Sequence, residues 1–257
     1  MKMVKKVLMG LAVAAIAFAL TGCLQDDTEK AIKGSGSKYS IDYTNEGTQN
    51  YRAYKSTGLS HAGALVKVTF DKDCDAGVSK MGVIFDLQER KENKQKLRDF
   101  NIIGIAKDGT YYVSRLTNIE DIQDDNFGAV VNAATGPSEK ELVSIDLGKK
   151  VTMSTDADGN KYVYVWYKAN LNGTYSWAIV TMTDDQAKAF DKNAGDIPEG
   201  ATSLNASGTI SDAFEAVTEA KKIPKRKISV YAMIKPGKTL TGKWNIVGKY
   251  LEAEDAE

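Results

Sequence analysis

From Tyr39 onward, apolar and polar residues mostly alternate, the period of an extended strand with one face turned inward. In the run Gly63 to Phe70, Ala64, Val66, Val68 and Phe70 share one face. Met81 to Leu87 is apolar at successive positions, which predicts a central strand. Asn101 to Ala106 and Thr110 to Leu116 flank Lys107-Asp108-Gly109, and an Asp-Gly step between β-rich runs predicts a hairpin. Lys161 to Tyr167 and Tyr175 to Thr181 flank a loop holding Asn172-Gly173. Lys227 to Ile234 and Lys243 to Leu251 are expected to form a last pair around Pro236-Gly237. Helical spacing is confined to Asp184 to Lys192 and to Ser211 to Lys222, where a serine N-cap precedes Phe214, Val217 and Lys221. Gln88 to Asp99 is strongly charged and is expected as a solvated loop or short helix. Many short strands with turn residues between them predict a mainly β chain, an antiparallel β-sandwich over residues 39–257 with one or two short helices.

The N-terminus breaks this pattern. Lys2, Lys5 and Lys6 precede Val7 to Leu20, which only Gly10 interrupts. That is the layout of an export signal, and it falls short of the roughly 20 residues needed to cross a bilayer. The following Leu20-Thr21-Gly22-Cys23 resembles the lipobox of bacterial lipoproteins. The resemblance implies that residues 1–22 are a signal peptide and that Cys23 carries a diacylglycerol and a fatty acid such as palmitate. It also implies an extracytoplasmic membrane location, at the periplasmic face of an outer membrane or at the cell surface. With about 0.8 kcal/mol per buried methylene, more than one acyl chain gives stable attachment. Residues 23–38, with Gly34-Ser35-Gly36-Ser37, are expected to be the lipidated flexible tether.

Charge narrows the partners. The chain has 34 basic and 34 acidic residues, and the leader contains three lysines, so the remainder is 31 − 34, about −3. An acidic balance gives no reason to expect nucleic acid as a partner. The one basic cluster, Lys221 to Lys227, is expected as a solvated turn beside a strand. With Cys23 assigned to the anchor, Cys74 has no partner in the chain and is expected as a buried thiol.

Catalytic chemistry finds little to work with. His61, the single histidine, is expected at the surface, and no Gly-x-Ser-x-Gly elbow accompanies it. Zinc sites rich in His or Cys lack ligands. Calcium has candidates in Asp71, Asp73 and Asp75 and in Asp156 and Asp158, where carboxylates alternate beside glycine. An EF-hand would need glycine at Ala76 and glutamate at Gly82, so both stretches also fit polar turns. A glycoside hydrolase needs two carboxyls about 5 to 9 Å apart, and no internal strand carries a Glu-x-Asp-x-x-Glu pattern. The acids of Glu252 to Glu257 sit at a terminus expected to fray. No enzyme is expected, with an unrecognised glycoside hydrolase as a remaining option.

The most promising surface is aromatic. Tyr162, Tyr164 and Trp166 share one strand face, and the paired strand adds Tyr175 and Trp177. Flat rings with polar handles suit sugar stacking or protein contact; equally, they can fill a sandwich core. A one-residue register slip exchanges the faces. The order Gly82-Val83-Ile84-Phe85, a charged loop, Phe100-Asn101-Ile102-Ile103-Gly104-Ile105, Asp108-Gly109 and Tyr111-Tyr112-Val113-Ser114-Arg115 resembles the central strands of concanavalin-like and laminin-G-like sandwiches. The leader and the ending Trp244-Asn245-Ile246-Val247-Gly248-Lys249 resemble spirochaete lipoproteins of unassigned function. The first resemblance implies a jelly roll and a carbohydrate ligand. The expectation is therefore a membrane-anchored binding module for carbohydrate, or alternatively a structural or host-protein-contact surface lipoprotein.

Overall fold

The inward alternation of Ala64, Val66, Val68 and Phe70 sets the architecture, because all four are fully buried between two sheets. The computed structural model describes residues 31–92, 95–119, 150–201, 204–211 and 213–251. The leader, Cys23 and the acids of 252–257 lie outside them. The strands are β1 (Ile32–Ser35), β2 (Lys38–Thr44), β3 (Tyr51–His61), β4 (Gly63–Phe70), β5 (Lys80–Glu92), β6 (Gln95–Ala106) and β7 (Tyr111–Ile119). They continue as β8 (Ser154–Thr155), β9 (Lys161–Ala169), β10 (Tyr175–Val180), β11 (Leu204–Ile210), β12 (Arg226–Ile234) and β13 (Thr239–Tyr250). One sheet runs β1-β2-β13-β4-β9-β10-β11, with β8 on β9; the other runs β3-β12-β5-β6-β7. Every pairing is antiparallel, so the fold is an antiparallel β-sandwich. The Asp108-Gly109 and Asn172-Gly173 hairpins and the central place of β5 follow the sequence pattern.

Four expectations change. Gln88 to Asp99 is neither loop nor helix: β5 and β6 extend through it, with Glu89 opposite Arg98. Its charge reflects pairing across the ribbon, since Arg98 Nε donates to Glu89 Oε1 at 3.1 Å. Lys227 to Ile234 and Lys243 to Leu251 do not pair. The Pro236-Gly237 turn hands the chain from one sheet to the other, pinned by Gly237 N–H to the Asn45 carbonyl at 2.8 Å. Ser211 to Lys222 is not a helix, apart from a 3-10 turn at Ala220–Lys222. It docks instead on the connection between β9 and β10, Ala213 N–H to Gly173 O at 3.0 Å and Val217 N–H to Leu171 O at 2.7 Å, with Phe214 and Val217 packed on the core. Finally, Ile32–Ser35, inside the segment expected as tether, is paired with β2, and Gly36 (φ 61°) supplies the left-handed turn between them.

The helix α1 (Asp184–Lys188) forms where expected but ends early. Thr183 and Gln186 cap its start reciprocally, Gln186 N–H to Thr183 Oγ1 at 3.2 Å and Thr183 N–H to Gln186 Oε1 at 2.8 Å. The two sheets are tied across the core by Trp244 Nε1, on β13, donating to the Gly82 carbonyl of β5 at 2.9 Å. The outer face of the first sheet buries Leu65, Tyr164, Trp166, Ala178 and Val180 with Ala187 of α1.

Candidate functional site

The aromatic strands do not make one platform. Trp177 lies opposite Tyr167 and Tyr175 opposite Ala169, which turns Tyr175 and Trp177 into the core between the sheets. Tyr162, Tyr164 and Trp166 take the outer face of β9, where α1 and the chain after it cover them. Tyr164 is fully buried and Trp166 8 % exposed. Trp166 Nε1 donates to Gly195 O at 2.8 Å, and the Tyr164 hydroxyl donates to Asp184. Of the five rings, Tyr162 alone stays half-exposed, with Lys67 Nζ 4.2 Å from its centre. The expected sugar platform is corrected to core and covered outer face: the register at Tyr167 and Trp177 sets the two strands' rings on opposite sides.

The acidic candidates are turns. Asp156 Oδ1 accepts from the backbone of Asp158 at 3.0 Å and of Asn160 at 2.8 Å. Asp75 pairs with Lys238 at 3.0 Å. Among the described residues, Asp71, Asp73 and Asp75 do not gather into a set that could hold a metal ion, nor do Asp156 and Asp158. Cys74 is a buried free thiol.

His61 is not at the surface. It ends β3 with its side chain inward, 1 % exposed, its Nε2 2.8 Å from the Tyr167 hydroxyl. Burial, with help from the charge of Lys249, pulls its pKa down to about 4. The inward parity of a strand that turns directly into β4 overrides the polar character of the residue.

Sequence reasoning missed the groups beside it. Asp86 sits at a bulge after Phe85 with φ 55°, a left-handed backbone that Asp and Asn tolerate better than other non-glycine residues. Its carboxylate is buried with Gln88 Nε2 at 3.2 Å and Arg115 Nη1 at 3.3 Å on Oδ2, and Arg226 Nε at 3.7 Å from Oδ1. Arg115 also donates to Asn101 Oδ1 at 3.3 Å and to the Ala213 carbonyl at 3.3 Å. Burial raises the Asp86 pKa to about 6 despite two guanidiniums, whose contacts are too long to offset the lost hydration. Arg115, in phase with the inward Tyr111 and Val113, is the signal that marks this cluster; Asp86 is in phase with the outer Ile84 and reaches it through the bulge.

Over the same end of the sandwich lies an open groove of about 440 Å³. One wall is the end of β9 and the β9–β10 connection, with Lys168, Asn170, Leu171 and Asn172; the other is Ala220, Ile223 and Tyr250. The connection is held by Asn170 Nδ2 donating to Thr174 Oγ1 and Ser176 Oγ, both at 2.9 Å, and by Thr174 Oγ1 donating to Asn172 Oδ1 at 2.8 Å. Gly173, at φ 82°, is required here: a Cβ would meet the Phe214 carbonyl at 2.2 Å. Lys168 Nζ pairs with Asp196 at 2.7 Å and stands 5.2 Å from the Tyr250 ring centre. Leu171 is 45 % exposed at the rim. The size falls within the roughly 300–1,000 Å³ of small-molecule clefts. No carboxyl or imidazole is among the lining residues, so the groove can hold a ligand but offers no acid–base pair.

No family model matches the chain, and no curated protein does. Among solved structures, a fructofuranosidase variant from Schwanniomyces occidentalis complexed with fructosylnystose superposes with TM-score 0.33 at 11 % identity over 80 % of this chain. The chain spans 32 % of that protein's length. The CBM2 module of the evolved Dit of Lactobacillus casei BL23 phage J-1 gives TM-score 0.32 at 8 % identity, covering 84 % of this chain and 72 % of that one. An alginate lyase mutant in complex with alginate tetrasaccharide gives 0.34 at 8 % identity, covering 84 % and 82 %. Likeness at these TM-scores carries no argument, and the sandwich stands on its own strand pairing.

Proposed function

We propose that this chain is a membrane-anchored extracytoplasmic binding module that seats its ligand in the groove between the β9–β10 connection and Tyr250. The observation that carries the reading is the groove's make-up: apolar walls of Ile223 and Tyr250 with Leu171 at the rim, amides at Asn170 and Asn172, and no carboxyl among its lining residues. Such a surface meets the C–H faces and hydroxyls of a sugar, and a carbohydrate is the first ligand class to try. The exposed Leu171 favours a second reading, contact with a surface protein through the same rim. The anchor rests on Leu20-Thr21-Gly22-Cys23.

Residues 24–257 carrying Leu171→Asp, beside the unaltered sequence, are to be screened on a glycan array and on matrix proteins. Glycan binding lost in the variant supports the carbohydrate reading; protein binding lost in the variant supports the contact role. Binding that the variant leaves intact removes the groove from consideration. Cys23→Ser, followed with a labelled fatty acid, is expected to abolish labelling, and retained label with membrane retention refutes the anchor.

A further inference from the structure

The basic cluster Lys221 to Lys227 is not a detached turn. Its first residues form the wall of the groove: Ala220 and Ile223 line it, and Lys221 and Lys222 stand between them on the 3-10 turn, both exposed. Glu219 accepts from both, Lys221 Nζ at 2.8 Å and Lys222 Nζ at 3.0 Å. One carboxylate thus serves two ammonium groups. Over residues 219–227 there are five cations and one acid; with Arg226 turned to the buried Asp86, four lysines and Glu219 remain, 4 − 1 = +3. The far wall contributes Lys168, whose ammonium is shared with Asp196 at 2.7 Å. Positive charge is thus present on the wall of the groove, where Lys221 and Lys222 are exposed.

We infer that the groove takes an acidic polysaccharide, a glycan bearing carboxylate or sulfate groups. This rests on the groove being the ligand seat proposed above. The lysines supply point charges on flexible stems, which follow the irregular spacing of acidic groups along a sugar chain. Ile223 and Tyr250, with Leu171 at the rim, meet the sugar's C–H faces, and Asn170 and Asn172 meet its hydroxyls. Nucleic acid fits less well. The large apolar side chains exposed among the described residues are Val78 and Leu171, so no fully exposed ring is offered for base stacking. The exposed lysines of this wall also attract an anionic chain to the groove.

The test uses the full chain in detergent, titrated with dextran sulfate, polygalacturonate, neutral dextran, a single-stranded oligothymidylate and inorganic phosphate. Dextran sulfate or polygalacturonate is expected to bind, with affinity falling about tenfold or more between 50 and 200 mM salt, as several ion contacts are screened. Lys221→Gln with Lys222→Gln is expected to weaken that binding about tenfold, with the circular dichroism melt unchanged because both side chains are solvated. Lys243→Gln, an exposed lysine of β13, is the control and is expected to change nothing. The inference is overturned if the double variant binds as the unaltered chain does, or if neither acidic polymer binds. It is also overturned if oligothymidylate or phosphate binds as tightly, which indicates indiscriminate anion attraction. Neutral dextran binding that Leu171→Asp abolishes and the lysine variant leaves alone keeps the groove and discards the acidic ligand.

Discussion

Replacing Asp86 with Asn is expected to stabilise the protein at neutral pH, although it removes the partner of two arginines. The Asp86 carboxyl is raised from 3.8 to about 6, first by burial, with Arg115, Gln88 and Arg226 pulling the other way. A raised acid favours the protonated folded state. Its contribution to stability is fully present below pH 3.8 and is lost as pH rises through 6. The shift of about 2 units corresponds to about 3 kcal/mol at 1.36 kcal/mol per unit. Asn copies the protonated carboxyl in shape, keeps a group that can accept from Arg115, and suits φ 55°. The two proteins are therefore expected to unfold alike at pH 4, with Asp86→Asn ahead by about 3 kcal/mol at pH 7. In urea, with tryptophan fluorescence as the readout and an m-value of about 3 kcal/mol/M, the midpoint moves up by about 1 M. Should Asp86→Asn instead be the less stable protein at pH 7, the arginine contacts outweigh the desolvation, and the ordering of causes given above is wrong.

His61 offers a clean companion measurement, because a single imidazole gives a single set of ring signals. With its pKa lowered from 6.5 to about 4, the folded protein holds it neutral, and that contribution to stability is present above 6.5 and lost as pH falls through 4. Its NMR shifts are expected to stay flat from pH 7.5 to 5, and a midpoint near 6.5 would mean an open ring. Trp166→Ala is expected to cost about 3–5 kcal/mol in thermal or urea unfolding, as for a buried ring lost from a packed face, while ligand binding per folded molecule stays unchanged. Gly82→Ala is expected to prevent folding, since its Cβ would lie 1.8 Å from the Ile103 carbonyl; a soluble variant with native circular dichroism would contradict that.

The elements were far more legible than the site. Period-two runs such as Gly63 to Phe70 mark themselves, because one buried face is a property of neighbours in sequence. Turns such as Asp108-Gly109 do too, since Gly109 needs a positive φ whatever surrounds it. The pattern around Tyr164 and Trp166 correctly placed them on one face but not what lay over it, because α1 and the following chain return to cover β9 from outside. Asp86, Arg115 and Arg226 are far apart in sequence and meet only once three strands of one sheet are aligned. The same holds for the groove, whose walls come from β9, the 3-10 turn and the end of β13. Lys221 to Lys227 was visible as charge, but its setting beside apolar walls was not.

The pairing of β2 with β13 governs when this protein can fold. The hydroxyls of Thr44 and Thr239 are 2.8 Å apart across 195 residues. In the other sheet β3 finds its partner in β12, with Ala53 opposite Ala232. A chain emerging N-terminus first has made both early strands long before either partner exists, and closing so long a loop is slow. Neither sheet is continuous until residues 226–250 have arrived, so a chain released short of Arg226 leaves β3 and the β1–β2 pair detached from their sheets. Until β12 and β13 are made, β2 and β3 are held as open edges that other strands can join.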